Sequence, residues 1–84
     1  MKFSQIYKDS PQKFADIQIT GVYCDSRKVT KNSVFVCIAG SSMDGHDYAD
    51  AAKNSGAAVI VCERDLGYDN QIIVEDSRAV YSTM

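Results

Sequence analysis

Two short segments carry the residues best suited to chemistry. The first is Cys24-Asp25-Ser26-Arg27, and the second is Gly40-Ser41-Ser42-Met43-Asp44-Gly45. Each follows an apolar run. Together they offer hydroxyls, backbone N–H groups and an apolar thioether. That mixture suits a flat, neutral, hydrogen-bonding group such as a nucleobase. Asp25 is placed to accept from nearby backbone N–H groups, and Arg27 to pair with it. Asp44 reads as a helix cap rather than a catalytic acid. His46, the single histidine, reads as a structural residue rather than a general base. The sequence has no G-x-x-x-x-G-K-[ST] phosphate loop and no G-x-G-x-x-G fingerprint. No nucleophile, base and orienting acid can be assembled from it, so catalysis by this chain alone is not expected.

Composition narrows the partners. A net charge of -2 argues against nucleic acid, which favours a basic patch. No apolar run approaches the roughly 20 residues needed to cross a bilayer. The opening Met1-Lys2-Phe3-Ser4-Gln5-Ile6-Tyr7-Lys8-Asp9 lacks the apolar centre of a signal peptide. A cytoplasmic protein is expected. Cys24, Cys37 and Cys62 lie far apart in apolar stretches, without a C-x-x-C pair. They read as three buried free thiols in a reducing compartment. No metal site is expected.

The elements that must position the two loops follow from periodicity. Phe3, Ile6 and Tyr7 predict a short helix ended by Asp9-Ser10-Pro11. Residues 17–24 read as a strand whose alternation slips at Thr20-Gly21, as a bulge would make it. The run 33–39 is continuously apolar and β-branched, which predicts a strand buried on both faces. A helix capped by Asp44 then buries Tyr48, Ala49 and Ala52, and Gly56 stops it. Residues 57–62 form a second apolar strand and 72–74 a third. Asp76 caps a last helix through Ala79, Val80 and Met84. This alternation is the βαβ pattern of a largely parallel sheet, in one small domain. The loops at 24–27 and 40–45 would then lie at one sheet edge, where ligands of open α/β sheets bind. The last helix shows no stop signal at Met84, as expected of a chain that continues. A second Asp-Ser-Arg, at 76–78, is explained by helix capping rather than by an internal repeat.

Residues 21–84 resemble the N-terminal domain of Mur ligases, especially the type that adds the third amino acid of the peptidoglycan stem peptide. Five places carry the resemblance in order: Asp25-Ser26-Arg27-Lys28-Val29, Val34 to Gly40, Asp44-Gly45-His46-Asp47-Tyr48, Gly56 to Val61, and Val74 to Ala79. Lys31-Asn32 stands where the family commonly has Pro-Gly. Asn is the residue that next best tolerates φ > 0, so the turn is expected to survive. Ser41 stands where many members carry His or Tyr, so no ring contacts a ligand from that position.

The resemblance implies an α/β fold, a small mixed, largely parallel sheet flanked by helices. It implies a uridine-binding domain spanning 1–84, cut from a three-domain ligase. Its substrate would be the UDP-N-acetylmuramoyl-peptide. The uridine contacts would fall on Cys24, Ser26, Ser41, Ser42 and Met43, with Asp25, Arg27, Gly40, Asp44 and His46 supporting the loops. ATP and magnesium would belong to the central domain, and the incoming diaminopimelate or lysine to the C-terminal domain. The resemblance also fits a monomer whose partners are those two domains. Arg78 favours this ligase type over the one adding the terminal D-Ala-D-Ala dipeptide. The alternative of another class is a free-standing protein-interaction domain.

Overall fold

The computed structural model describes residues 1–40 and 43–84. Four strands form one sheet: β1 (Val22–Tyr23), β2 (Val34–Val36), β3 (Val59–Cys62) and β4 (Gln71–Ile73). They lie in chain order, and all three pairings are parallel. The antiparallel component is confined to the bridges Lys2–Gln18 and Ala39–Asp44. The helices are α1 (Phe3–Ile6), α2 (Gln12–Ala15), α3 (Ala49–Asn54) and α4 (Ser77–Thr83). Two 3₁₀ turns, Ser26–Lys28 and Gly45–Tyr48, complete the elements.

The continuous apolar runs of the central strands have a plain cause. Both faces of the sheet are covered, so alternate residues of β2 and β3 feed two separate cores. Val34, Val36, Val59 and Val61 face Phe3, Phe14, Ile19 and Ile72, with Val80, Tyr81 and Met84 of the α4 side packed on them. Phe35, Cys37, Ile60 and Cys62 face Val29, Ala49, Ala52 and Ala57. Small residues on α3 let that helix lie close to the sheet. The edge strands β1 and β4 are only partly buried. Among the described residues no helix is long and apolar enough to cross a membrane.

Three points differ from the sequence reading. The strand read over 17–24 is paired in the sheet only at Val22–Tyr23. Residues 17–19 instead bond the N-terminal segment, through Phe3 N–H to Ile17 O and Ile19 N–H to Met1 O. The slip at Thr20-Gly21 divides the two pairings. Second, α2 was not legible, because Phe14 alone marks its buried side. Third, Cys24 is exposed, while Cys37 and Cys62 are buried and all three thiols are free. Cys24 follows the last residue of a two-residue strand and is already turning into the loop.

The turn before β2 is closed by Asn32, the only described non-glycine residue at positive φ, at 65°. Its N–H donates to Gly56 O at 2.9 Å. Gly56 itself sits at φ 108°, and a Cβ there would lie 2.8 Å from Lys31 Cα. The two turns therefore lock together at the N-terminal end of β2 and β3. Asn32→Gly should leave stability unchanged or raise it by no more than about 1 kcal/mol, because glycine adopts that φ without strain. Gly56→Ala should lower stability by more than about 1 kcal/mol, since both φ and space oppose the methyl group. Thermal or urea unfolding of the two variants checks both signs.

Candidate functional site

The loops that follow β1 and β2 are built by the same device. Asp25 (φ -113°, ψ 115°) and Asp44 (φ -113°, ψ 117°) adopt nearly the same extended backbone, each just before a 3₁₀ turn. Each carboxylate accepts the backbone N–H two residues on, from Arg27 at 3.0 Å and from His46 at 2.9 Å. Each also takes the side chain of that same residue. Arg27 donates Nε and Nη2 to the two oxygens of Asp25 at 3.1 and 2.9 Å. His46 Nδ1 lies 2.6 Å from Asp44 Oδ1. An aspartate that caps its own turn satisfies orphan N–H groups without outside help.

The second turn is anchored more deeply. The His46 side chain is 1% exposed. Its Nε2 lies 2.9 Å from the N–H of Glu63, just past β3. A backbone N–H can only donate, so Nε2 accepts, and the ring proton sits on Nδ1 and is donated to Asp44. Arg64 Nη1 reaches the other Asp44 oxygen at 3.1 Å. The loop itself is closed by the Ala39–Asp44 bridge, by Gly40 N–H to Met43 O at 2.6 Å, and by Gly45 N–H to Ile38 O at 2.9 Å. Ser41 and Ser42 lie outside the described residues.

Between the two turns is a cleft of about 620 Å³, a volume in the usual range for small-molecule sites. Cys24, Asp25, Ser26, Arg27, Gly40 and Met43 line it from the loops, with Gly45 and Tyr48 from the second 3₁₀ turn. Phe35 and Ile38 add apolar surface from β2 and its extension. The cleft lies beyond the C-terminal ends of β1 and β2, where ligands of open parallel sheets sit. Met43 is 59% and Tyr48 40% exposed. Such apolar groups left open at a polar-rimmed cleft suit a ligand with a flat apolar face.

Of the residues singled out in the sequence, Cys24, Asp25, Ser26, Arg27, Gly40 and Met43 therefore meet around one cleft. Asp44 and His46 stand behind it as supports. Tyr48 is a correction: it was expected in the core but lines the cleft. Residues 45–48 wind as a 3₁₀ turn, so the core-facing side of the helix begins at Ala49 and Ala52. Glu63, Arg64 and Tyr48 were not identified as part of the site. Only Tyr48 carried a signal, its place beside His46 in the Asp-Gly-His-Asp-Tyr segment.

Electrostatics follow the hydrogen bonds. Hydrogen bonds from the Arg27 side chain, then from its backbone N–H, hold Asp25 down to about 2. The backbone N–H of His46, then its ring, hold Asp44 down to about 2. Burial pushes the Cys37 thiol up to about 12, which leaves it inert as a nucleophile at neutral pH.

Residues 18–83 match the family model described as "Mur ligase family, catalytic domain". The chain is similar to the UDP-N-acetylmuramoyl-L-alanyl-D-glutamate--2,6-diaminopimelate ligase of Bacillus velezensis, 49% identical over 73% of this chain and 12% of that protein. It is also similar to the UDP-N-acetylmuramoyl-tripeptide--D-alanyl-D-alanine ligase of Escherichia coli K12, 39% identical over 83% of this chain and 16% of that one. Among solved structures, MurF from Acinetobacter baumannii aligns with a TM-score of 0.73, at 26% identity, over 95% of this chain and 18% of that one. The chain thus spans roughly an eighth to a sixth of the length of these curated relatives.

A carboxyl whose pKa is lower in the folded than in the unfolded chain stabilises the fold while ionised. For Asp44 and Asp25 that contribution is complete above the ordinary value of 3.8 and disappears as pH falls from there through about 2. Asp44→Asn should therefore flatten the fall of stability between those pH values. Urea midpoints measured from pH 5 to pH 2 check this. A pH profile as steep as that of the unsubstituted chain would contradict it.

Proposed function

Because the chain belongs to the Mur ligase family, we propose that it holds the uridine end of a UDP-N-acetylmuramoyl-dipeptide. The ligase concerned is the ATP-dependent one that adds the third stem-peptide residue in peptidoglycan synthesis. The observation that carries this reading is the single cleft shared by the loops at 24–27 and 40–45. Uracil presents an acceptor–donor–acceptor edge and two apolar faces. Backbone groups of the loops and the Ser26 hydroxyl can meet the edge. Met43 and Tyr48 offer surfaces for a face. Asp25 and Arg27 neutralise each other, which keeps the rim near them compatible with a neutral base.

Relatives named as diaminopimelate ligases favour the third-residue type. The likeness to the terminal-dipeptide ligases favours the second reading, in which the same cleft serves a tripeptide substrate. On either reading the chain acts in the cytoplasm as one domain of a larger monomeric ligase, whose other domains complete the substrate site.

ATP and magnesium are the cofactors expected of the whole ligase, and the residues present do not fit them. The sequence has no phosphate loop. Among the described residues no three His, Cys, Asp or Glu side chains converge to hold a metal. No step through either group is assigned to these residues. Their part is to bind and orient the nucleotide end.

UDP should bind with a dissociation constant of about a millimolar, because a few hydrogen bonds of about 0.5–1.5 kcal/mol each carry the interaction. Amide shifts in an NMR titration should cluster at Ser26 and at Gly40 to Met43. CDP should perturb them less, because cytosine reverses part of the edge pattern. Ser26→Ala should weaken the response without unfolding the chain. Equal responses to UDP and CDP, or shifts confined to other surfaces, would overturn the reading and leave the interaction-domain alternative. In a separate assay the purified chain should hydrolyse no ATP, and turnover that persists through further purification would show a phosphate site elsewhere in these residues.

A further inference from the structure

The second Asp-Ser-Arg segment, Asp76-Ser77-Arg78, does not line the cleft, yet its contacts lead to it. Asp76 caps α4 by accepting Ala79 N–H at 3.1 Å. Ser77, 1% exposed, donates its N–H and its hydroxyl to Glu63 Oε2 at 2.8 and 3.1 Å. The N–H of Glu63 donates to His46 Nε2, and His46 Nδ1 to Asp44. Asp44 is the residue bridged to Ala39 across the base of the second loop. A second tether runs directly: Arg78 Nη2 donates to the carbonyl oxygen of Ala39 at 3.2 Å. Both routes start in the first turn of α4 and end on the Ala39–Asp44 pair that closes the loop at 40–43.

We propose that Ser77 and Arg78 are positioning residues for the cleft: from α4 they set the Ala39–Asp44 base that places Gly40 and Met43, through two converging hydrogen-bond routes, without touching the ligand. This rests on the reading of the cleft as a nucleotide site. The geometry carries it in three ways. The first route ties buried Ser77 to the Glu63 carboxylate, and the Glu63 N–H to a buried imidazole fixed in one tautomer, so both of its ends are held in the interior. The second route restrains the carbonyl directly preceding Gly40. Finally, Gly40 and Met43 are exposed, and the bonds that close the loop on them lie at its base. Capping of α4 accounts for Asp76 but not for the reach of Arg78 across to Ala39.

Two readouts on the ¹⁵N-labelled chain test the proposal, one without ligand and one with UDP. The variants are Arg78→Ala, Arg78→Lys and Ser77→Ala. Arg78 is exposed, so its alanine variant remains folded even if Ser77→Ala does not. Without ligand, Arg78→Ala should speed hydrogen exchange at the Gly40 and Gly45 amides by about threefold or more, while amides of β3 stay unchanged. With UDP, the same variant should weaken binding about three- to tenfold at a temperature where it is fully folded, and Arg78→Lys should recover part of both effects. Unchanged exchange at Gly40 and Gly45 overturns the proposal. So does faster exchange with undiminished UDP affinity, since the wall would then move without consequence. Failure of the unsubstituted chain to bind UDP overturns instead the nucleotide reading on which the proposal rests, and with it the role of the tethers, even where exchange responds.

Discussion

Among the described glycines, the closest approach to backbone atoms is that of Gly45 to the strand extension before the cleft. A Cβ on residue 45 would sit 2.6 Å from Ile38 N, 3.0 Å from Ile38 O and 3.1 Å from Cys37 Cα. All three are backbone atoms, so no side-chain adjustment relieves the clash. With hydrogen in that place, Gly45 donates to Ile38 O and the chain doubles back against its own strand. The position of every neighbouring group follows. Asp44 comes opposite Ala39, His46 enters the interior, and Ala49 begins a helix that packs flat on the sheet. A residue with a side chain at 45 would push the whole second turn outward and open the wall of the cleft.

The two aspartate turns solve one problem with different depths of anchorage. Each must redirect the chain sharply after a strand and still satisfy its backbone. Asp25 does this with Arg27, a pair at the surface whose bonds compete with water. Asp44 does it with His46, whose far nitrogen is claimed by Glu63 in the next strand's exit loop. The first wall of the cleft is therefore held locally, and the second is held by the body of the fold. This asymmetry follows from sheet position. β1 is at the edge of the sheet, whereas β2 has β3 beside it to supply a partner.

Much of the architecture was legible because the sheet is covered on both sides. Continuous apolar runs at 33–39 and 57–62 can be satisfied only by strands facing two cores, and the capping aspartates 44 and 76 stand at the starts of their turns. Asn32 was legible as a left-handed turn through the resemblance, since it stands where the family commonly has glycine and is the residue that next best tolerates that conformation. The misses share a physical cause. Residues 17–19, Tyr48 and Cys24 are placed by where a neighbouring element happens to end, which periodicity does not record. Glu63 was invisible for a deeper reason. Its part in the site is played by a backbone N–H that any residue would supply, and by a carboxylate whose partner lies 14 residues away in sequence. Pattern reading finds residue types; it does not find which backbone groups a fold brings opposite a buried ring.

The strand order has a consequence for how such a chain comes to exist. Because β1, β2, β3 and β4 are neighbours in the same order as they are synthesised, each new strand finds its only required partner already made. No strand must be held open for a later segment to insert, and the entropic cost of closing each connection grows only slowly with its length. A nascent chain can therefore extend the sheet edge by edge as it leaves the ribosome. The growing edge at any moment is the one the next strand will cover, while the other edge remains the short, two-residue β1.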